Sequence, residues 1–283
     1  MSAVDGLWAR IEPGSVTGFL GPNGAGKSTT MRCAVGLVAP SSGRVTVAGT
    51  SYRRLKYPLL TVGALLDGGA AHPARRARDH VRAIALSNRI GAARVSEVLE
   101  LVGLADVAHR RVGTFSLGMR QRLGLAVALL GDPSILVLDE PINGLDPEGV
   151  RWFRLFVRDL AAQGRTVLVS SHLMSEMEQT ADRLIVVARG RLLADTTVTA
   201  VAGRYSEGVV VRTPQRRELS VVLRRHGCVV VDGDDDLRVT GADVDAIASI
   251  ATDAGVRVHE IRHHHVSLED AYLRLVADAE VGA

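Results

Sequence analysis

The chain has 283 residues, 47% hydrophobic and 23% charged, ordinary globular usage that excludes disordered and collagen-like classes. Its longest stretch without Asp, Glu, Lys or Arg runs only from Pro13 to Gly26 and holds five glycines, whereas a spanning helix needs about 20 mostly apolar residues. The net charge of +3 is uneven: residues 205–283 carry 9 Arg against 14 Asp and Glu, a net of −5, which leaves +8 on residues 1–204.

Along the first part, strand-like and helix-like segments alternate. Val16–Leu20 is a short apolar run, followed by a glycine-rich turn and a helical stretch, Lys27–Leu37. The segment before Pro13-Gly14 and the alternating Arg44–Ala48 both predict strands, and Val62–Leu66 is another apolar run. Helical spacing covers Asp79–Gly103 and Met119–Leu130, the latter ended by Gly131-Asp132-Pro133. Then come a fully apolar strand (Ile135–Leu138), an amphipathic helix (Pro147–Ala162), a strand (Thr166–Val169), a helix (Leu173–Gln179) and a strand (Leu184–Val187). This alternation predicts an α/β unit, a largely parallel sheet covered by helices, with a helical subdomain around 79–130.

Beyond about Arg204 the pattern changes. Strand-like Val209–Val211, Val229–Val231, Leu237–Thr240 and Val256–Ile261 enclose helix-like Pro214–His226 and Asp243–Ala254. That order predicts a small ferredoxin-like α+β domain over 205–283, separate from the unit over 1–204. A last helix, Leu268–Ala277, has Ser267 at its cap and Glu269-Asp270 in its first turn.

Gly21-Pro22-Asn23-Gly24-Ala25-Gly26-Lys27-Ser28 fits G-x-x-x-x-G-K-[ST] between a strand and a helix, and Thr29 follows it. Glycines there let backbone N–H groups converge on phosphate oxygens at a helix N-terminus. Lys27 is one of only two lysines, with Lys56, against 32 arginines. A compact ammonium at that place suits the outer phosphates, and the Ser28 hydroxyl suits Mg²⁺. Small-molecule kinases and GTPases share such a loop. Ile135-Leu136-Val137-Leu138-Asp139-Glu140 narrows the choice: a buried strand delivers Asp139 towards Mg²⁺ and Glu140 towards an attacking water. Neither lysine lies in the Asn-Lys-x-Asp that GTPases use for base recognition.

Further motifs carry a resemblance to the nucleotide-binding subunits of ABC transporters, over roughly Gly6 to Gly203. Phe115-Ser116-Leu117-Gly118-Met119 resembles the family signature, in a form similar to one in the drug and antibiotic exporter branch. Asn143-Gly144-Leu145-Asp146 resembles the loop that crosses the dimer interface. His172, after Val169-Ser170-Ser171, matches the switch histidine that contacts the γ-phosphate. Asp67 stands where the family's glutamine reaches the metal and couples to the membrane subunit; a carboxylate there can still ligate Mg²⁺. The family's adenine-stacking aromatic would fall just before Met1, which implies poor choice between adenine and guanine. Trp8 is expected to pack in the sheet instead.

The resemblance implies a P-loop NTPase core of ABC type that binds ATP with Mg²⁺. Gly21–Thr29 would hold phosphate, and Ser28, Asp67 and Asp139 the metal. Lys27, Glu140 and His172 would act in catalysis, with Ser116, Gly118 and Asp146 completing the nucleotide site of a second copy. It implies an exporter ATPase at the cytoplasmic face of the plasma membrane, driving a separate integral membrane permease, most simply as a homodimer. The permease would move a drug, an antibiotic or another hydrophobic molecule. The weighed alternatives are a soluble ABC-type ATPase acting on ribosomes or nucleic acid, and an importer ATPase. Ribosome-acting relatives usually carry two cassettes and a basic linker, whereas this chain has one cassette and an acidic tail, so nucleic acid is not expected as a partner. Cys33 and Cys228 match no metal or redox spacing, and no secretory signal opens the chain. Three consecutive histidines, His263-His264-His265, cannot all face one ion from a strand, and are expected to be a solvated strand end.

Overall fold

The structure, a computed structural model, describes residues 3–66, 71–205, 208–233, 235–263 and 266–281. The chain divides into two compact units, residues 1–198 and 199–283.

The first unit opens with β1 (Ser15–Leu20), α1 (Lys27–Ala34), a four-residue α2 (Pro58–Thr61) and β2 (Val62–Leu65). Three helices follow: α3 (Ala77–Ser87), α4 (Ala92–Leu101) and α5 (Leu117–Ala128). The chain then returns to the sheet as β3 (Ile135–Asp139), α6 (Pro147–Ala162), β4 (Thr166–Ser171), α7 (Met174–Thr180), β5 (Arg183–Ala188) and β6 (Arg191–Thr197). A helix α8 (Val198–Tyr205) comes next in the chain.

The sheet has the order β2-β3-β4-β1-β5-β6, parallel except for β6, which runs antiparallel to β5. Its strands are aliphatic on both faces, and Val16, Leu20, Leu136, Leu138, Val167, Val169 and Leu184 are buried, as parallel strands covered by helices must be. Gly63 shows how tightly the helical layer closes: a Cβ there would lie 2.0 Å from the Ala128 carbonyl oxygen. Register sets up the site. Leu20 lies opposite Ser171, and Asp139 opposite Ser170, so the carboxyl ends of β1, β3 and β4 are level. That edge is where open parallel sheets bind ligands.

Several expectations need correction. Arg44–Ala48 forms no strand; Val47 makes a single bridge to Thr50. The segment before Pro13 is extended, with Leu7, Ala9 and Ile11 leaning on the core and Trp8 77% exposed rather than packed in the sheet. Both segments have strand-like alternation but pair with no other strand among the described residues, and a strand needs a partner. The helical run 79–103 is two helices, α3 and α4, broken where Arg89 takes φ 59°. The antiparallel edge strand β6 was not foreseen.

The second unit contains β7 (Val209–Arg212), α9 (Arg216–Arg225), β8 (Val229–Asp232), β9 (Leu237–Thr240), α10 (Val244–Asp253), β10 (Glu260–His263) and α11 (Leu268–Val281). The four strands form an antiparallel sheet in the order β10-β7-β9-β8. Val209, Val211, Leu237 and Val239 pack there with Leu219 and Leu223 of α9 and Ile247 of α10. Of the expected strand Val256–Ile261, only Glu260 and Ile261 belong to β10. Ser267 caps α11, its Oγ accepting the Asp270 amide at 3.1 Å. His263 is exposed at the end of β10, and His264 and His265 lie outside the described residues.

Candidate active site

The glycine-rich turn between β1 and α1 takes its shape from two residues in the left-handed region, Gly24 (φ 83°) and Gly26 (φ 99°). Side chains rarely adopt that backbone, so glycine is required at both. Gly26 precedes the first turn of α1, where Ser28 and Thr29 sit half-buried, while Pro22, Asn23 and Gly24 are exposed. Lys27 turns back over the loop. Its Nζ donates to the Gly21 carbonyl at 2.6 Å and to that of Pro22 at 3.3 Å, and it lies 3.8 Å from Glu140 Oε1. Burial lowers the Lys27 pKa below the usual lysine value, and the Glu140 and Asp139 carboxylates work against that shift.

Asp139 and Glu140 share one anchor. The buried Ser170 hydroxyl of β4 donates to Asp139 Oδ1 and accepts the Glu140 amide, the latter at 2.9 Å. Glu140 has φ 48°, a left-handed backbone uncommon for a residue with a side chain. Such strain persists only where the surroundings impose it, and it clusters at functional sites. The result aims the carboxylate across the end of the sheet: Oε2 lies 2.9 Å from His172 Nδ1 and Oε1 faces Lys27. One carboxylate thus bridges the phosphate-loop lysine and the histidine after β4. Ser170 is the residue that motif reading missed. No local signal singles it out, because its strand, Thr166–Ser171, also carries the hydroxyls of Thr166 and Ser171.

Ser170→Ala should be costly. It leaves the Glu140 amide without its acceptor, and an unsatisfied buried group costs about 1–3 kcal/mol. Urea unfolding should show a loss of that size, and steady-state ATP hydrolysis should fall with it. A folded Ser170→Ala protein with unchanged turnover would remove Ser170 as the group that orients the two acids.

Ser116 and Gly118 form a second locus. Ser116 is the N-cap of α5, its Oγ accepting the Met119 amide at 3.2 Å. The amides of Leu117 and Gly118 belong to the first turn, which has no intrahelical acceptors. Among the described residues, neither Ser116 nor Gly118 bonds to Lys27, Asp139, Glu140 or His172. Gly118, with its neighbour Leu117, instead adjoins the 143–146 loop. A Cβ on Gly118 would lie 3.0 Å from the Gly144 carbonyl oxygen, and one on Gly144 only 2.2 Å from Leu117. Asp146 is used locally, capping α6 by accepting the Gly149 amide at 3.0 Å. Arg122 of α5 lies over the Trp152 ring of α6, 4.6 Å from its centre, tying the two helices. Asp67 lies outside the described residues.

Next to residue 66, a mostly apolar cavity of about 420 Å³ opens between the end of α1, β2, α3 and α5. Leu37, Leu66, Ile84, Leu123 and Val127 line it, with Tyr52, His80 and Arg120 contributing polar groups. Burial, and then the charge of Arg75, lower the His80 pKa below the usual histidine value.

Residues 4–143 match the family model described as ABC transporter, and residues 207–269 match a domain of unknown function, DUF8746. The chain is 35% identical over 280 residues to the uncharacterized ABC transporter ATP-binding protein YhcH of Bacillus subtilis, covering 98% of this chain and 92% of that protein. The chain belongs to the ABC transporter ATP-binding proteins. This ABC ATPase is also 32% identical to the bacitracin transport ATP-binding protein BcrA of Bacillus licheniformis, over 99% of this chain and 94% of that one. It is 35% identical to the daunorubicin resistance ATP-binding protein DrrA3 of Streptomyces coeruleorubidus, over 98% and 92%. Among solved structures, cbiO1 of Clostridium perfringens, part of the ABC transporter complex cbiONQ, superposes with TM-score 0.63 at 25% identity, covering 80% of this chain and 90% of that one. The ATP-binding cassette MJ0796, as a dimer bound to ADP and Pi, shares the fold at TM-score 0.64 and 23% identity, over 69% and 90%. Among the described residues of this ABC ATPase, no helix is long and apolar enough to cross a membrane.

Proposed function

We propose that this ABC ATPase powers an exporter: residues 1–204 hydrolyse ATP and drive efflux of a drug, antibiotic or other hydrophobic molecule through a separate integral membrane permease. Similarity to proteins named for bacitracin transport and daunorubicin resistance supports the transport half of this reading. The single observation that carries the chemistry is Glu140, held by Ser170 between Lys27 and His172.

In this reading the Gly21–Thr29 loop holds the phosphates through its amides, with Lys27 on the outer oxygens. The hard oxygens of Ser28 and Asp139 suit Mg²⁺, and Asp67 would add a third; Asp139 is already oriented by Ser170. Bound there, Mg²⁺ supplies charge neutralisation at the phosphate oxygens. Glu140 accepts a proton from the attacking water, and His172 orients that carboxylate and then the γ-phosphate. A second copy brings Ser116, Gly118 and the loop ending in Asp146 to the same nucleotide. The cavity beside residue 66 takes a cytoplasmic helix of the permease, which keeps the chain at the cytoplasmic face of the membrane.

The test is co-expression with the membrane protein encoded beside this gene, expected to have about six apolar segments of ~20 residues. The chain should enter the membrane fraction only with that partner. Resistance of a sensitive host should rise with the unaltered chain and not with Glu140→Gln. A chain found on ribosomes, with no effect on efflux, would overturn the reading.

A further inference from the structure

An electrostatically unfavourable strip lies outside the nucleotide site, at the start of α3. Residues 73–78 and 108–113 run antiparallel, joined by Ala77 N–H to Arg110 C=O at 3.1 Å and Val112 N–H to Arg75 C=O at 2.9 Å. Arg78 N–H to Ala108 C=O at 2.9 Å and Gly113 N–H to Pro73 C=O at 2.8 Å extend the pair. Ala77 and Val112 face the core. Arg76 and Arg111 are directly paired across the bridge, so their side chains leave on the same, outer side. Like charges placed directly opposite are destabilising. Here they are not neutralised: Arg75, Arg76, Arg78, Arg110 and Arg111 are all exposed, and none forms an ion pair among the described residues. The nearby acids in sequence are Asp79, in the first turn of α3, and Asp106, and neither bonds to these arginines.

Local chemistry is broken twice at Arg76. It also occupies the N-cap of α3 and makes no side-chain cap hydrogen bond, where Ser, Thr, Asp or Asn is favoured. A place that violates cap preference and cross-strand charge pairing together is where function is expected to outweigh stability.

We infer that this strip binds the anionic headgroups of a lipid surface. Guanidinium forks match phosphate oxygens bidentately and remain charged at any physiological pH. Residues 72–79 and 109–111 expose no large apolar side chain, so they lack the anchors on which protein partners rely, and they hold no Phe, Tyr or Trp on which single-stranded nucleic-acid bases would stack. A headgroup surface needs neither. The strip also lies beside the apolar cavity, since Arg75 acts on His80 of the cavity wall. If the permease occupies that cavity, as the function proposed above holds, the arginines meet the headgroups around it; the inference rests on that reading.

The test is co-sedimentation of the full chain with vesicles of equal phosphatidylglycerol and phosphatidylcholine, beside pure phosphatidylcholine. Binding should appear only with the anionic vesicles. It should vanish in 1 M salt, where the Debye length falls from about 10 Å to about 3 Å. Each neutralised arginine should weaken partitioning about fivefold, so Arg76→Gln/Arg111→Gln should lose about 30-fold. The thermal midpoint of that variant should not fall, because a repulsive pair has been removed. Arg75→Gln/Arg78→Gln, on the same strip but outside the opposed pair, should lose a similar amount and serves if the first variant folds poorly. The control Arg44→Gln/Arg54→Gln should bind as the unaltered chain does. Equal loss in that control, no binding to anionic vesicles, or preferential binding of poly-glutamate or duplex DNA overturns the inference. ATP hydrolysis measured without vesicles reports separately on the proposed function, so failure of one is distinguishable from failure of the other.

Discussion

Replacing Glu140 by Gln should lower ATP turnover by about 10²–10⁴-fold, the contribution of a positioned general base, and should leave ATP binding intact. Glutamine keeps the size of the side chain and the Ser170 bond to the residue 140 amide, which is a backbone group. What it removes is the basic oxygen and the negative charge beside Lys27. Losing that charge eases the approach of a polyphosphate, so affinity should hold or rise. Lys27→Ala behaves differently. It deletes the ammonium that, in the proposed function, meets phosphate in ground state and transition state alike, and charge-assisted hydrogen bonds contribute about 1.5–3 kcal/mol. ATP affinity should therefore drop about 10- to 150-fold. Titration with a fluorescent ATP analogue, alongside steady-state hydrolysis, separates the two. Equal loss of affinity in both variants would remove Glu140 from the role of base.

Motif reading succeeded where the information is local. The Gly21–Ser28 spacing carries its own turn geometry, because Gly24 and Gly26 need φ values that other residues avoid. The limits of α6 were legible as Pro147–Ala162, since a capping Asp146 and a first-position proline mark its start. It faltered where structure depends on a distant partner. Leu7–Ile11 and Arg44–Ala48 are strand-like in sequence, yet among the described residues nothing pairs with them beyond the Val47–Thr50 bridge, and a local pattern cannot report a missing neighbour. The strand β6 is mixed in polarity and half-buried along most of its length, because it is an edge paired only to β5. Trp8 is expected in the sheet because its segment leads as a strand into Pro13-Gly14, but that strand does not form, and Leu7, Ala9 and Ile11 take the core side and leave Trp8 facing outwards. In the site, Lys27, Asp139, Glu140 and His172 were each legible from their motifs. The Ser170 anchor that aligns two of them was not, because it comes from the register of β3 against β4.

Mixing two inactive variants, Ser116→Arg and Lys27→Ala, should restore hydrolysis. Ser116 and Gly118 start a helix whose first amides have no intrahelical acceptors, an anion site in waiting. They make no bond to the Lys27–Glu140–His172 cluster of their own chain among the described residues, but Gly118 and its neighbour Leu117 abut the Gly144–Leu145 loop that follows it. A nucleotide site built from one copy's phosphate loop and the other's α5 N-terminus accounts for both facts. In a heterodimer, the intact loop of the Ser116→Arg chain then faces the intact Ser116 of the Lys27→Ala chain, and the opposite site is doubly defective. Random pairing makes half the dimers mixed, each with one good site of two, so about a quarter of the unaltered activity should return if sites act independently. Ser116→Ala separates blockage from loss of the cap, since either substitution removes the Oγ bond to Met119, about 1 kcal/mol, but only arginine fills the anion site. On a sizing column, ATP should drive Glu140→Gln into a dimer, and adding Ser116→Arg should abolish it while Ser116→Ala should not. A Glu140→Gln chain that stays monomeric at saturating ATP and Mg²⁺, with no activity recovered on mixing, would place the complete site within one copy.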